Sequence, residues 1–264
     1  MSLLSLVSNG HGASPVSNTS FQSDPHASVW DRLREVARPD SRLHFDFAHM
    51  HPDFEGSDEA AKRLLDEGIA ADPALVFAVP DGAVQSAREL LLRRGARILL
   101  STYCMRRGFR LLDPGRIDVA DYAFAATLDG VERFGIEVTV AEMAKLGPLD
   151  LVLTGAAAVS SNGTRVGKSY QYFDIEWGLL AEIGLVNDRT PAAVIVHDVQ
   201  LMPGKIAPLP REAVPDYIAL PSRLIHLESR PKRPRGIDWA NIDADELEQM
   251  PALIELQRAR GLRR

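Results

Sequence analysis

The chain has 264 residues, of which 45% are hydrophobic, and its formal net charge is −6. This length accommodates one large domain with extensions, and the composition supplies enough apolar side chains for a core. The acidic balance argues against a protein that coats nucleic acid or an anionic membrane, so we expect neither partner. Two clusters of basic residues are interpreted as solvated tail rather than as a phosphate-binding patch: Arg230, Lys232, Arg233 and Arg235, and Arg258, Arg260, Arg263 and Arg264.

The only cysteine, Cys104, excludes an intramolecular disulfide and a metal site built on several thiolates. Because Cys104 follows an apolar strand pattern, we interpret it as a packing residue rather than as a nucleophile. No apolar run is long enough to span a membrane. Residues 1–24 are polar after a short apolar start and lack the basic region of a signal peptide. We therefore predict a disordered extension over 1–24 and a cytoplasmic protein.

The first half of the chain alternates helical and strand patterns. Apolar spacing predicts helices over 26–36, 58–67 and 84–94, the last of which ends at a glycine. Short apolar runs predict buried strands over 74–79 and 97–101. The order strand, helix, strand predicts a parallel pair with a right-handed crossover.

The second half continues the alternation. The patterns predict helices over 138–146 and 174–183, and strands over 149–154, 192–197, 216–220 and 223–227. Strands that alternate with helices indicate a three-layer α/β domain over 25–228. The tail of residues 229–264 is basic and then helical in pattern, and the sequence leaves open whether it packs on the domain.

The most informative segment, residues 161–176, lies between a predicted buried strand and a predicted helix. A loop that ends at a helix N-terminus presents free N–H groups and the positive end of the helix dipole to anions. Lys168 adds a charge suited to phosphate, and Asp174 is placed either to hold a divalent cation or to cap the helix. From local features alone, an anion site and a plain polar connection fit this loop equally well.

This segment resembles the signature of the 5-formyltetrahydrofolate cyclo-ligase family, and most closely the pattern Arg-Ile-Gly-Lys-Gly-Glu-Gly-Tyr-x-Asp-Leu-Glu of its archaeal-type branch. The residues that match without a gap are Arg165, Gly167, Lys168, Tyr172, Asp174 and Glu176. Other segments agree with family patterns in order and spacing over about 29–228, namely 52–61, 80–95, 111–114, 196–200 and 216–225. Their colinearity carries the resemblance.

The resemblance implies a single three-layer α/β/α domain of the NagB/RpiA/CoA-transferase type with a mostly parallel sheet and terminal extensions. It also implies a ligase of folate one-carbon metabolism that uses ATP and Mg²⁺. In that reaction ATP phosphorylates the formyl oxygen of a formylated folate. A second amine of the substrate then closes the ring, which gives the methenyl product, ADP and phosphate. The implied partner is a small, folate-like molecule, and the oligomeric state stays open.

The site residues follow from the same resemblance. The phosphates of ATP would contact Arg165, Gly167 and Lys168, and Mg²⁺ would contact Asp174 and Glu176. Arg211 replaces a histidine of the family pattern, and it could supply replacement charge for binding ATP. The substrate would contact Phe54, Glu55, Tyr172 and Gln200. The catalytic group would comprise Lys168, Tyr172, Asp174 and His197. His197 ends a predicted strand, where ligand sites of α/β proteins lie, but a hydrogen-bonded structural histidine is the alternative.

The loop also departs from the branch pattern. Ser169 and Gln171 replace two glycines, which tolerate positive φ and let phosphate approach the backbone, and Tyr170 adds bulk. A Lys/Arg pair by which the family binds ATP corresponds here to Gln22 and His26. Two alternatives follow: a diverged enzyme with an ATP-independent reaction on another small molecule in a specialised or vitamin pathway, and a non-catalytic binding or regulatory protein.

His49 and His51 form a His-x-His pair, a spacing that also occurs in zinc sites. An extended backbone would place both imidazoles on one face, but the sequence offers no evident third ligand. We therefore interpret them as an ordinary pair at the surface or at the edge of a pocket.

Overall fold

A computed structural model describes residues 25–47, 49–70, 72–166 and 170–261. The predicted disordered extension over 1–24 lies outside these residues. The strands are β1 Leu75–Ala78, β2 Arg97–Ser101, β3 Phe109–Leu112, β4 Ile136–Val138, β5 Leu151–Thr154, β6 Ala158–Ser160, β7 Arg165–Val166, β8 Ala192–Ile195, β9 Leu201–Met202, β10 Tyr217–Ala219 and β11 Leu224–His226. The helices are α1 Pro25–Val36, α2 Ser57–Asp66, α3 Gln85–Arg93, α4 Tyr122–Ala125, α5 Leu128–Phe134, α6 Val140–Met143, α7 Tyr170–Glu182, α8 Ala244–Glu248 and α9 Pro251–Ala259.

Eight strands form one sheet in the order β11–β10–β8–β5–β1–β2–β3–β4. The strands from β10 to β2 run parallel, whereas β11 at one edge and β3 and β4 at the other pair antiparallel. The inner strands β1, β5 and β8 are buried along their whole length, as expected for a parallel sheet covered by helices on both faces. This confirms the predicted three-layer α/β/α fold with a mostly parallel sheet.

The predicted parallel pair is present. Val76 of β1 lies opposite Ile98 of β2, and α3 connects the two strands. On the other side of β1 lies β5, which follows later in the chain. Strand order therefore reverses at β1, and the carboxyl ends of β1 and β5 mark the position at which open α/β sheets commonly bind ligands.

A second, three-stranded sheet in the order β7–β6–β9 was not predicted. Its strands are two or three residues long, which is too short for a periodic pattern to reveal. A turn over 160–163 joins β6 to β7, and Gly163 adopts a φ of +85° in it. This small sheet places Arg165 beside α7.

The C-terminal segment packs on the domain. Its apolar side chains Leu247, Met250, Leu253 and Leu256 are buried in the main core. Arg230 and Arg233 make ion pairs with Asp216. The interpretation of the first basic cluster as solvated tail is therefore wrong for these two arginines.

Several element boundaries differ from the prediction. The helix predicted over 138–146 shortens to α6, because Thr139 and Glu142 form a capping box and 136–138 belong to β4. Helix α7 begins four residues before the predicted start at 174. The stretch 109–134, which contains β3, α4 and α5, was not predicted. Within the described ranges, no helix combines the length and apolar character needed to cross a bilayer.

Candidate functional site

The predicted anion-binding loop is bounded by β7, which ends at Val166, and by α7, which begins at Tyr170. Gly167 and Lys168, the predicted phosphate contacts, lie outside the described residues. Asp174 is the fifth residue of α7, so the alternative in which it caps the helix is wrong. Gln171 lies in the first helical turn, where the backbone takes φ values that any residue adopts, so a glycine is not required there.

Arg165 and Asp174 form a buried ion pair. Arg165 Nη2 donates to Asp174 Oδ1 at 2.5 Å, and the backbone N–H of Ala213 donates to the same oxygen at 2.9 Å. Their side chains are 0% and 4% exposed. Among the described residues, Asp174 Oδ2 and Arg165 Nε and Nη1 have no hydrogen-bond partner. A buried polar atom without a hydrogen-bond partner destabilises a protein. These unpaired atoms therefore indicate that a ligand binds between Arg165 and Asp174.

Arg211 lies near this pair. Burial raises the pKa of Asp174, while the charges of Arg165 and Arg211 and the hydrogen bond from Ala213 oppose that shift. Arg211 and Asp174 also line one cleft at the start of α7. The structure thus brings together two residues that the sequence linked only through the family resemblance.

Glu176, the other predicted metal ligand, has different neighbours. Two residues along a helix turn a side chain by about 200°, so Glu176 faces the end of β2, where Ser101 Oγ donates to its Oε1. Burial raises the pKa of Glu176 to about 8, although the hydrogen bond from Ser101 lowers it. Among the described residues, Glu176 does not line the cleft of Asp174 and Arg211, so the two predicted metal ligands do not meet at one site.

No group of three or more His, Cys, Asp or Glu side chains is arranged for a metal in the part of the chain that the structure describes. Magnesium sites often use only one or two carboxylates together with water and substrate phosphates. Asp174 Oδ2 meets that smaller requirement.

Tyr172 lies on α7 one helical turn before Glu176, beside Cys104, which is the only cysteine in the sequence. Burial, followed by hydrogen bonds to Cys104 and Glu246, raises the pKa of the Tyr172 hydroxyl. Burial also raises the pKa of the Cys104 thiol, although hydrogen bonds from Tyr172 and Tyr103 lower it. A thiol with a raised pKa is a weak nucleophile at neutral pH, which agrees with the interpretation of Cys104 as a packing residue.

Phe54, Glu55 and His197 form a second group after β8. The rings of Phe54 and His197 are 5.6 Å apart, and Glu55 is exposed beside them. Burial lowers the pKa of His197, and its Nδ1 accepts the N–H of Val199 at 3.2 Å. The neutral ring therefore carries its proton on Nε2. No hydrogen bond joins this group to Tyr172 or Asp174 within the described residues.

Gln200, a predicted substrate contact, is buried and engaged with the backbone. Its Nε2 donates to the carbonyls of Ala156 and Ala157 at 2.7 and 3.2 Å. Its Oε1 accepts the N–H of His197 at 2.7 Å. These bonds use its hydrogen-bonding groups, so the geometry favours a residue that holds the turn after β8.

Three polar residues of this region were not predicted: Ser101, Glu212 and Glu246. Glu212 Oε1 accepts the N–H of Arg165 at 2.7 Å, and burial raises the pKa of Glu212. Ser101 ends a strand of the parallel sheet, and this position was the one feature of the sequence that could have identified it as a site residue. Glu246 lies far along the chain and carries no local signal.

His49 and His51 each pair with a separate carboxylate. His49 Nδ1 lies 2.8 Å from Asp46 Oδ2 at the surface, and His51 Nδ1 lies 2.8 Å from Asp81 Oδ2. His51 is buried against the end of β5, where a Cβ on Gly155 would lie 3.0 Å from its Cβ. This arrangement fits the interpretation of a pair at a pocket edge rather than a zinc site.

Comparisons with known proteins point to one family. The model of the 5-formyltetrahydrofolate cyclo-ligase family matches residues 30–213. The human methenyltetrahydrofolate synthase domain-containing protein is 31% identical over 217 residues, which cover 79% of this chain and 55% of that protein. The mouse protein of the same name is 30% identical over 234 residues, which cover 87% and 61%. This chain thus spans less than two thirds of either curated relative.

A solved structure is also similar. The NMR structure of Aquifex aeolicus 5,10-methenyltetrahydrofolate synthetase superposes with a TM-score of 0.44 at 12% sequence identity. The superposition covers 78% of this chain and 95% of that protein.

Proposed function

This chain belongs to the 5-formyltetrahydrofolate cyclo-ligase family, and we propose that it closes the ring of a formylated, folate-like substrate with consumption of ATP. The observation that carries the proposal is the buried carboxylate of Asp174. One of its oxygens is held by Arg165 and Ala213, and the other has no partner among the described residues. A protein that kept only the fold would have no need of a buried, unpaired carboxylate oxygen.

The proposed reaction has two steps. The formyl oxygen attacks the terminal phosphorus of ATP, ADP leaves, and the oxygen becomes part of a phosphate leaving group. The second amine then attacks the formyl carbon, the carbon–oxygen bond breaks, and phosphate and the amine proton are released. The product is a ring with a methenyl bridge. Such chemistry requires cations at the phosphates and a flat pocket for the folate ring.

The chain supplies side chains of suitable charge. Asp174 is the proposed carboxylate for Mg²⁺, which when bound supplies positive charge against the phosphate oxygens. Arg211 lines the same cleft, and Arg165 has two unpaired donors, so both are proposed to hold phosphate oxygens. Lys168 has this role by its match to the family signature. Glu176 is proposed to stay protonated and to fix α7 against β2 through Ser101.

The folate pocket is proposed to lie along Tyr172 and Glu55. The ring of Phe54, a predicted substrate contact, is fully buried in the core and is not part of this proposal. His197 carries its proton on Nε2, so it is proposed to donate a hydrogen bond to the substrate rather than to remove the amine proton. Gln200 is proposed to position His197 through the bond to its backbone N–H.

Titration calorimetry of Mg-ATP into the purified protein tests the proposal, together with an assay for the methenyl product from 5-formyltetrahydrofolate. The variants are Asp174→Asn, which keeps the acceptor for Arg165, and Lys168→Ala. We expect the wild type to bind Mg-ATP and to turn over, and both variants to lose about 100-fold or more in turnover. Asp129→Asn, which removes an exposed charge that pairs with Arg42, should behave as wild type.

A wild type that neither binds Mg-ATP nor forms the methenyl product overturns the proposal. The family would then describe ancestry only, and the search would move to substrates that need no phosphoryl donor.

A further inference from the structure

The cleft that contains Asp174 has a second wall outside the part of the chain that matches the family model. The match ends at residue 213, whereas Asp238, Asn241 and Glu246 line this cleft together with Asp174 and Arg211. We call residues 236–246 the C-terminal strap. The polar groups that the strap presents are therefore a property of this chain and not of the family model.

The strap is held firmly against α7. Glu182 Oε1, near the end of α7, accepts the N–H of Ile237 at 2.9 Å and Trp239 Nε1 at 3.2 Å. Glu182 Oε2 pairs with Arg260 at 3.0 Å, which ties α9 to the same point. Helix α8, which begins within the strap, and α9 pack into the main core. The strap is thus a fixed wall rather than a mobile lid.

Glu246 lies between two clefts. It lines the cleft of Asp174 and Arg211, and it also lines the neighbouring cleft of Tyr172, Cys104 and Arg106. Tyr172 and Glu246 line this second cleft together, and the interaction with Glu246 contributes to the raised pKa of the Tyr172 hydroxyl. Of the residues that line these two clefts, Glu246 is the one common to both within the described part of the chain. A ligand that extends from Tyr172 to the unpaired oxygen of Asp174 therefore passes the Glu246 carboxylate.

Among the described residues, carboxylates outnumber cations in both clefts. Asp174, Asp238 and Glu246 line the first cleft with Arg211, and Asp243, Asp245 and Glu246 line the second with Arg106. These carboxylates repel a triphosphate, so Arg211 is assigned to the nucleotide and the strap carboxylates are not. A ring that carries amino and ring N–H groups matches a carboxylate, which accepts two such bonds side by side.

We propose that Glu246 is a specificity-determining residue that accepts N–H groups of the aminopyrimidine end of the folate-like substrate. This inference rests on the proposed function. It assigns the aminopyrimidine end of the substrate to the part of the site that the C-terminal strap lines. Tyr172 lies beside this carboxylate in the second cleft, and the bonds from the strap to Glu182 fix the position of Glu246 relative to Asp174.

The test compares wild type, Glu246→Gln and Glu248→Gln in the full chain. Glu248 lies on the same helix α8 but lines neither cleft, so its variant is the matched control. Calorimetry measures 5-formyltetrahydrofolate and Mg-ATP separately, and steady-state assays give KM for each. We expect Glu246→Gln to weaken folate binding and to raise its KM by about tenfold or more, with Mg-ATP binding within about twofold of wild type.

Other outcomes overturn the inference in distinguishable ways. Folate binding by Glu246→Gln equal to that of wild type removes the assigned role and leaves the proposed function intact. Weaker Mg-ATP binding with unchanged folate binding places Glu246 at the nucleotide instead. A wild type that binds Mg-ATP but no folate overturns both the inference and the folate part of the proposed function. Equal thermal unfolding of the three proteins excludes a folding defect as the cause of any loss.

Discussion

Gly178 of α7 and Gly236 of the C-terminal strap approach so closely that a Cβ on Gly178 would lie 2.9 Å from the carbonyl carbon and oxygen of Gly236. Gly178→Ala therefore forces the strap away from α7. Alanine favours a helix by up to about 1 kcal/mol over glycine, but overpacking costs about 1–3 kcal/mol. We expect a lower free energy of unfolding in urea and faster proteolysis within 236–246.

The matched control is Gly115→Ala. A Cβ there would meet only the flexible carboxylate of Asp113 at 3.3 Å, so its free energy of unfolding should stay near that of wild type. If Gly178→Ala were instead more stable than wild type and cleaved no faster, the close approach of helix and strap would not restrain the fold.

Glu176 should make stability depend on pH. Its pKa rises from 4.5 to about 8 on folding, so the folded protein binds the proton more tightly than the unfolded chain. The neutral carboxyl makes its full contribution to the free energy of unfolding below about pH 4.5. This contribution is lost as the pH rises towards about 8, and the free energy of unfolding falls by on the order of 1 kcal/mol per pH unit. Glu176→Gln mimics the neutral form, so its advantage over wild type should grow between pH 5.5 and 8. Urea unfolding across this range measures the difference.

A second glutamate provides the contrast. Hydrogen bonds from the backbone and hydroxyl of Thr139 lower the pKa of Glu142. The ionised Glu142 carboxylate therefore makes its full contribution to stability above the pKa of the unfolded chain, and this contribution is lost only as the pH falls below that value. The difference between Glu142→Gln and wild type should stay constant from pH 5.5 to 8. Parallel stability curves for wild type and Glu176→Gln would show that Glu176 is ionised in the fold.

The sequence was sufficient to predict the centre of the fold. The strands β1, β2, β5 and β8 are apolar runs bounded by turn residues, because both faces of a parallel sheet are covered. The edge strands β3 and β4 were missed, since their exposed faces carry charged residues such as Arg110 and Glu137, which pair across the strands. The early start of α7 was missed because its first turn is polar and aromatic.

The site was predictable only in part. The family signature identified Arg165, Tyr172 and Asp174, of which the structure brings Arg165 and Asp174 into direct contact. Ser101, the partner of Glu176, and Ala213, the partner of Asp174, are distant in the sequence, as is Glu246 beside Tyr172, so no local pattern links them to the signature. The matched motif also did not reveal that Asp174 and Glu176 point in different directions, because the predicted helix began at Asp174 itself.

Arg233 is expected to be essential for stability. Its buried guanidinium donates to the carbonyls of Val214 and Thr190 at 2.8 Å each, pairs with Asp216, and lies 4.7 Å from the Trp177 ring. Arg233→Met leaves these acceptors without their donor, which costs about 3–5 kcal/mol when a buried pair is broken. Lys232→Met removes a neighbouring exposed charge and should change the free energy of unfolding by less than about 0.5 kcal/mol. Equal urea midpoints for the two variants would contradict this role.

Cys104 offers a chemical probe of the Tyr172 cleft, because it is the only thiol in the chain. Burial raises its pKa, so the reactive thiolate is scarce and alkylation by iodoacetamide at pH 8 should be about tenfold slower than in urea-unfolded protein. Tyr172→Phe removes a hydrogen bond that lowers this pKa, so alkylation should slow further. Saturating 5-formyltetrahydrofolate should protect Cys104, since the thiol lines the cleft assigned to the substrate. Cys104→Ser gives the background, and unchanged labelling with substrate known to be bound would place the folate elsewhere.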